Sequence, residues 1–199
     1  MIRDEEILRE INELWEPVYP FLAEHLLGAA GGRCRALLDL GPFAGGIAAA
    51  ALEREGSCRA VVADAAAPVL RWARRWAAAR GVAERLRAVE APLGPLPFPT
   101  GAFDRVAVRG AFFFLTPALL GEVGRVVRPG GFGWVGGGYG PATPEDVIGP
   151  IAARSKYLNE AVGKRRISFR EAEGLVAAAG LQGCARVSGE GGLWIEVRP

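Results

Sequence analysis

Lysine is nearly missing from this chain. Of 24 basic residues only Lys156 and Lys164 are lysines; the wealth of arginine and alanine reads as coding bias rather than function. Cysteine is sparse as well. Cys34, Cys58 and Cys184 are odd in number and scattered, with no Cys-x-x-Cys and no Cys/His cluster. Neither a disulfide framework nor a zinc site is indicated, and no metal is expected. Excess charge of one sign is absent, since 24 basic and 22 acidic residues leave only +2. That excludes the electrostatic footprint of a nucleic-acid or acidic-membrane partner. No uninterrupted apolar run reaches the length a membrane helix needs. The start, Met1-Ile2-Arg3-Asp4-Glu5-Glu6, is acidic where a signal peptide would be apolar. The cytoplasm is the expected location.

What remains is a globular composition, half hydrophobic and 23% charged. The 199 residues suggest a single domain, 1–199, with a substantial core. No internal repeat stands out.

The most informative stretch is Ala36-Leu37-Leu38-Asp39-Leu40-Gly41-Pro42-Phe43-Ala44-Gly45-Gly46. A short apolar run carries an acid, ends in a Gly-rich turn and feeds an Ala-rich helical stretch, Ile47 to Glu55. Exposed backbone N–H groups at such a helix start favour anionic or strongly polar ligands. A Gly-rich turn alone leaves the ligand open. Further along, strands are expected at Arg59 to Ala63 (ending at Asp64), Leu86 to Val89, Phe103 to Val108 and Phe132 to Val135. Helices are expected between them, one opened by Pro68 and one by Thr116-Pro117. Pro129-Gly130-Gly131 is expected to end the last of these units.

Five alternations of strand and helix imply a largely parallel sheet covered on both faces. Amphipathic spacing of Ile7, Leu8, Ile11, Leu14 and Trp15 predicts a helix over 4–15, and 18–28 reads as a second; together residues 1–30 form an N-terminal helical cap. The tail differs. Ser168-x-x-Glu171 is a capping box opening a helix that Gly180 closes. Strands at Cys184 to Ser188 and Leu193 to Val197 flank Gly189-Glu190-Gly191-Gly192, which is hairpin chemistry. The fold class is therefore α/β: a single Rossmann-like domain with a seven-stranded, mostly parallel sheet ending in an antiparallel hairpin. Residues 137–167 are one long insertion with a helix near 144–163.

These residues resemble the class I S-adenosylmethionine-dependent methyltransferases, over roughly 30–199. Leu38 to Gly45 stands where that family has acid-x-Gly-x-Gly-x-Gly. Val61-Val62-Ala63-Asp64 stands where an acid ends the second strand. Leu96-Pro97-Phe98-Pro99-Thr100-Gly101-Ala102-Phe103-Asp104-Arg105-Val106 and Gly124-Arg125-Val126-Val127-Arg128-Pro129-Gly130-Gly131 match two further family runs, the more specific pair. The resemblance implies S-adenosyl-L-methionine as cofactor, S-adenosyl-L-homocysteine as product, and methyl transfer by in-line displacement. It places the cofactor over Asp39, Gly41, Pro42, Phe43 and Gly45, with Asp64 and Ala65 at the ribose. Glu90 or Ala91 (or Leu93) would meet the adenine, and backbone near Arg109 the methionine end.

The residue chemistry agrees. Asp64 follows Gly45 at close to the ~20-residue spacing at which an acid meets ribose hydroxyls, and a carboxylate accepts from both. Small residues in the turn would let the ligand approach the backbone. Asp39 would either orient the loop or meet the ligand's ammonium. Asp64 could instead cap the following helix.

Phe43 departs from the family pattern, which has glycine there. Its ring either packs beside the ligand or fills the cleft. The second outcome defines a rival reading, a non-catalytic relative that keeps the fold. A nicotinamide oxidoreductase is a third, weakened by the missing middle glycine and the terminal hairpin. No catalytic base is apparent, and the oligomeric state is unreadable. Near-neutral charge and the absence of an Asn-Pro-Pro-Tyr type run at Arg109-Gly110-Ala111-Phe112 point to a small-molecule acceptor, with specificity carried by 137–167. Phe112-Phe113-Phe114 either line its pocket or pack. Trp15 and Tyr19 either form a lid or cover the sheet, and Trp72 and Trp76 belong to the core. Lys156, Lys164, Arg165 and Arg166 either greet an anion or form a solvated face.

Overall fold

The computed structural model describes residues 5–163 and 166–199. Seven strands form one sheet: β1 (Ala36–Leu40), β2 (Arg59–Asp64), β3 (Leu86–Glu90), β4 (Phe103–Arg109), β5 (Val127–Gly138), β6 (Ala185–Ser188) and β7 (Gly192–Val197). Their order is β3-β2-β1-β4-β5-β7-β6. The first five run parallel, and β7 lies antiparallel to both β5 and β6. The expected terminal hairpin is therefore present, with β7 inserted next to β5.

Seven helices cover the sheet: α1 (Glu5–Leu14), α2 (Tyr19–Gly28), α3 (Gly46–Arg54), α4 (Ala67–Ala79), α5 (Pro117–Val126), α6 (Glu145–Ala161) and α7 (Phe169–Ala178). The local chemistry that predicted them is visible. Thr116 Oγ1 accepts from the Leu119 N–H at 3.1 Å, capping α5. Ser168 and Glu171 exchange side-chain-to-backbone bonds at the start of α7. One buried cluster joins α1 to α4 with one sheet face, and a second joins α5 and α7 with the other. No helix among the described residues is long and apolar enough to cross a membrane.

Two expectations change. The Pro129-Gly130-Gly131 stop falls inside β5 instead of before it. Val127 already pairs with Phe103, and the register shifts before Phe132 meets Arg105, so the segment bulges between two paired stretches. The cysteines are not all scattered. The N-terminal ends of β1 and β2 pair Ala36 with Arg59, and this register brings the buried thiols of Cys34 and Cys58 to 3.2 Å, both free. The adjacent thiol and burial push the Cys34 thiol up, so it stays protonated.

Candidate active site

The carboxyl ends of β1, β2 and β4 meet the N-terminal helices, and here two buried acids share one design. Asp39 is fully buried; its Oδ2 accepts from the N–H groups of Gly45 (2.8 Å) and Ala48 (3.0 Å). It thereby ties the Gly-rich turn to the first turn of α3, the loop-orienting role considered for it. Its Oδ1 is buried without a partner. Burial pushes the Asp39 carboxyl up to about 6, against the two N–H donors and the nearby Arg109 charge. Asp64 is 3% exposed at the end of β2. Its Oδ1 accepts from the Ala66 N–H at 2.7 Å, just before α4, while Oδ2 is buried and unpaired. Burial again raises the carboxyl, opposed by the Ala66 bond. A buried acceptor left empty costs free energy, on the order of 1–3 kcal/mol. Asp64 therefore caps locally with one oxygen and leaves the other buried without a partner.

The turn between them has two glycines at positive φ, Gly41 (+102°) and Gly45 (+113°), which L side chains rarely adopt. The close approach they permit is internal. A Cβ on Gly41 would lie 2.7 Å from the Phe114 ring, and one on Gly45 would lie 2.9 Å from both Trp72 and Ala73. Ligand access is the reason expected from the sequence for these small residues; packing against the protein's own side chains is a second one.

Phe43 is 1% exposed. Its ring lies against Gly110, just past β4, where a Cβ would collide with it, and stands 5.4 Å from the Phe113 ring. Pro42 presents its carbonyl to the Asn12 amide at 3.4 Å. The Arg109 side chain, rather than its backbone, dominates this corner. It is 4% exposed, and its Nη2 donates to Asn12 Oδ1 (2.5 Å), the Tyr19 hydroxyl (2.9 Å) and the Phe43 carbonyl (3.2 Å). Its guanidinium carbon lies 4.7 Å from the Trp15 ring centre and 5.1 Å from that of Phe43. Arg109 Nε has no acceptor. Burial lowers the Arg109 pKa and raises that of Tyr19. Ala91 is buried, with its N–H on the Asp64 carbonyl (3.1 Å), whereas Glu90 is exposed beside it. Ala65 is exposed on the connection from Asp64 to α4.

Two hollows flank this corner. A groove of about 570 Å³ runs between α1 and the start of α4, touching Asn12, Ala66, Pro68 and Trp72. Trp72, expected as plain core, thus also faces this groove. A larger cavity of about 680 Å³ lies beyond β4 and β5 and is walled by Phe43, Phe112, Phe113 and Tyr139 with Ser155 and Asn159 of α6. Trp15 closes it: its ring stacks on Tyr139 at 4.8 Å, and its Nε1 donates to Ser155 Oγ at 2.9 Å. Lys156 and Arg166 stand at its rim, while Lys164 and Arg165 lie outside the described residues.

Sequence reasoning missed Asn12, Ser155 and Asn159. Each is a polar residue on the buried stripe of its helix, Asn12 four after Leu8 and Ser155 four after Ile151. That interruption of an apolar stripe was the available signal.

The adenosine cofactor implied by the resemblance can be tested against these residues. The empty oxygen of Asp64 suits a ribose hydroxyl, and that of Asp39 a cationic ammonium. Phe43 stands on the β4 side, against Gly110 and Phe113. The residues fit the group at its ribose end, with the ring as a wall toward the larger cavity.

A strand order 3-2-1-4-5-7-6, with acids ending β1 and β2 beside a Gly-rich turn, defines the class I methyltransferase fold. Comparison with known proteins agrees. Residues 37–131 match the methyltransferase domain family. The chain is similar to the demethylmenaquinone methyltransferase of Thermus thermophilus, 43% identical over 97 residues; the match covers 48% of this chain and 43% of that protein, less than half its length. A Methanococcus maripaludis structure, described as a candidate S-adenosyl-L-methionine-dependent methyltransferase, superposes with a TM-score of 0.79 at 22% identity, covering 98% of this chain and 93% of that one. A geranyl diphosphate methyltransferase bound to S-adenosylmethionine gives 0.64 at 17% identity, over 89% and 83%.

Proposed function

We propose that this protein transfers the methyl group of S-adenosyl-L-methionine to a small-molecule acceptor, leaving S-adenosyl-L-homocysteine. The observation that carries this reading is Asp64 Oδ2, a buried acceptor without a donor at the end of β2, next to the Gly-rich turn. The cofactor would supply an activated methyl on a sulfonium, open to in-line displacement. The chain's own work is then positioning. Asp64 holds the sugar, and Asp39 fixes the loop through Gly45 and Ala48. Phe43 and Phe113 form an apolar wall that excludes water from the side facing the larger cavity. Among the described residues, Glu160 is the single carboxylate on that cavity's lining, and it is exposed. This supports an acceptor that is already a competent nucleophile, because a strong base is needed only for a poor one. The small net charge supports a soluble small molecule over nucleic acid, and a cytoplasmic setting.

Calorimetry with S-adenosylhomocysteine tests the reading. The native chain should bind, and Asp64→Ala should weaken binding ~10–100-fold, the worth of hydrogen bonds to a charged group. Absence of heat and of any thermal shift at millimolar ligand would remove it.

The burial of Phe43 favours one rival, a non-catalytic relative with a closed cleft. On that reading Phe43→Gly creates or greatly strengthens cofactor binding. Unchanged or weaker binding leaves the enzyme reading in place.

A further inference from the structure

The larger cavity is selective in its polar groups. Its walls at Phe112, Phe113, Tyr139 and Leu193 offer flat or branched apolar surface. Two buried donors face it. Arg109 lines it, is 4% exposed, and has an Nε–H with no acceptor. Ser155 lines it and is 2% exposed. Its Oγ accepts from Trp15 Nε1 (2.9 Å) and from Asn159 Nδ2 (3.2 Å). With both lone pairs taken, its own hydrogen is left for an incoming acceptor. At the rim two cations, Lys156 and Arg166, face one carboxylate, Glu160. All three are exposed, and no ion pair engages either cation among the described residues. The volume, about 680 Å³, lies within the ~300–1,000 Å³ typical of small-molecule sites.

We propose that this cavity receives an organic anion with a flat apolar body, its acid group met at the rim by Lys156 and Arg166 and its remaining oxygens by Arg109 and Ser155. As an assignment of the methyl acceptor's class, this rests on the methyl-transfer reading. As a binding site it stands alone. A neutral or cationic acceptor of the same shape would leave the buried donors unsatisfied and would face a rim of net positive charge. Specificity would come from that penalty as much as from attraction.

Two fluorescent probes isolate the charge. 8-Anilinonaphthalene-1-sulfonate and N-phenyl-1-naphthylamine share an aromatic body, and the first alone carries an anion. Titrated into the whole chain, the anionic probe should bind ~3–30-fold tighter than the neutral one, the sum expected from two exposed charges. The double variant Lys156→Gln/Arg166→Gln should cut that preference several-fold, leaving what Arg109 supplies, and leave the neutral probe's affinity unchanged. Equal affinities in the native chain would overturn the proposal. So would an undiminished preference in the double variant, since it would place the probe elsewhere. A thermal-shift titration with S-adenosylhomocysteine runs beside it. No shift with an intact anion preference would sink methyl transfer and leave the anion site standing. A shift without the preference would do the reverse.

Discussion

The two halves of the sheet's carboxyl edge are built by different means. At β1 and β2 the candidate site is made of backbone and two acids: a turn tied down by Asp39 and a buried, unpaired oxygen on Asp64. Its parts are close in sequence and nearly fixed by local rules. At β4 and β5 the larger cavity is made of side chains from distant segments, with α1 and α6 joined across it by Trp15 and Ser155. The first half carries chemistry common to a fold. The second is walled by Phe112, Phe113 and Tyr139, with Lys156 and Arg166 at its rim. Arg109 and Phe43 sit on the seam and belong to both.

The sharpest break of this comparison strikes the first half. Gly45→Ala forces a side chain to φ +113° and drives its Cβ within 2.9 Å of Trp72 and Ala73. Backbone strain and overpacking together should cost ~2–5 kcal/mol in urea unfolding. A variant as stable as the native chain would show that the turn is looser than described.

The next test uses pH. The Asp39 carboxyl lies at about 6 when folded, well above its ordinary value of 3.8. A raised folded value means the folded state keeps a proton the unfolded chain releases. The resulting stabilisation is complete below pH ~4 and is lost as pH rises through about 6. Asp39→Asn keeps an acceptor for Gly45 and Ala48 but does not titrate. The stability difference between variant and native chain should shift by ~3 kcal/mol in the variant's favour from pH 4 to pH 7. Parallel pH profiles would contradict a buried, charged Asp39.

The smallest effect belongs to the second half. Trp15→Phe keeps the ring on Tyr139 and removes the bond to Ser155, at a cost of ~1 kcal/mol. It should also leave S-adenosylhomocysteine affinity unchanged while altering probe binding in the larger cavity. A change in the first without the second would mean that the two halves are not separable in this way.

The same contrast explains what could be read from the chain beforehand. The strand and helix sequence, the Thr116 cap and the Ser168–Glu171 box were legible because each rests on periodicity or on residues three apart. The place of Asp64 at the end of β2 was legible from the apolar run that it closes. The Cys34–Cys58 contact was not, because it depends on the register of two strands whose pairing no local rule states. Nor was the fate of the Arg109 side chain. Its partners Asn12 and Tyr19 lie far away in the chain, and only the docking of α1 and α2 on the sheet brings them together. Nor was the packing at Gly41 and Gly45, since Phe114 and Trp72 reach them from distant segments.

Crystals soaked with S-adenosylhomocysteine test the central claim most directly. The account predicts electron density along the ends of β1 and β2, with ribose hydroxyls within hydrogen-bond distance of Asp64 Oδ2 and the Phe43 ring beside the ligand. A fully occupied nucleoside elsewhere, or an undisturbed Phe43 with Asp64 Oδ2 still unpaired at saturating ligand, would contradict it.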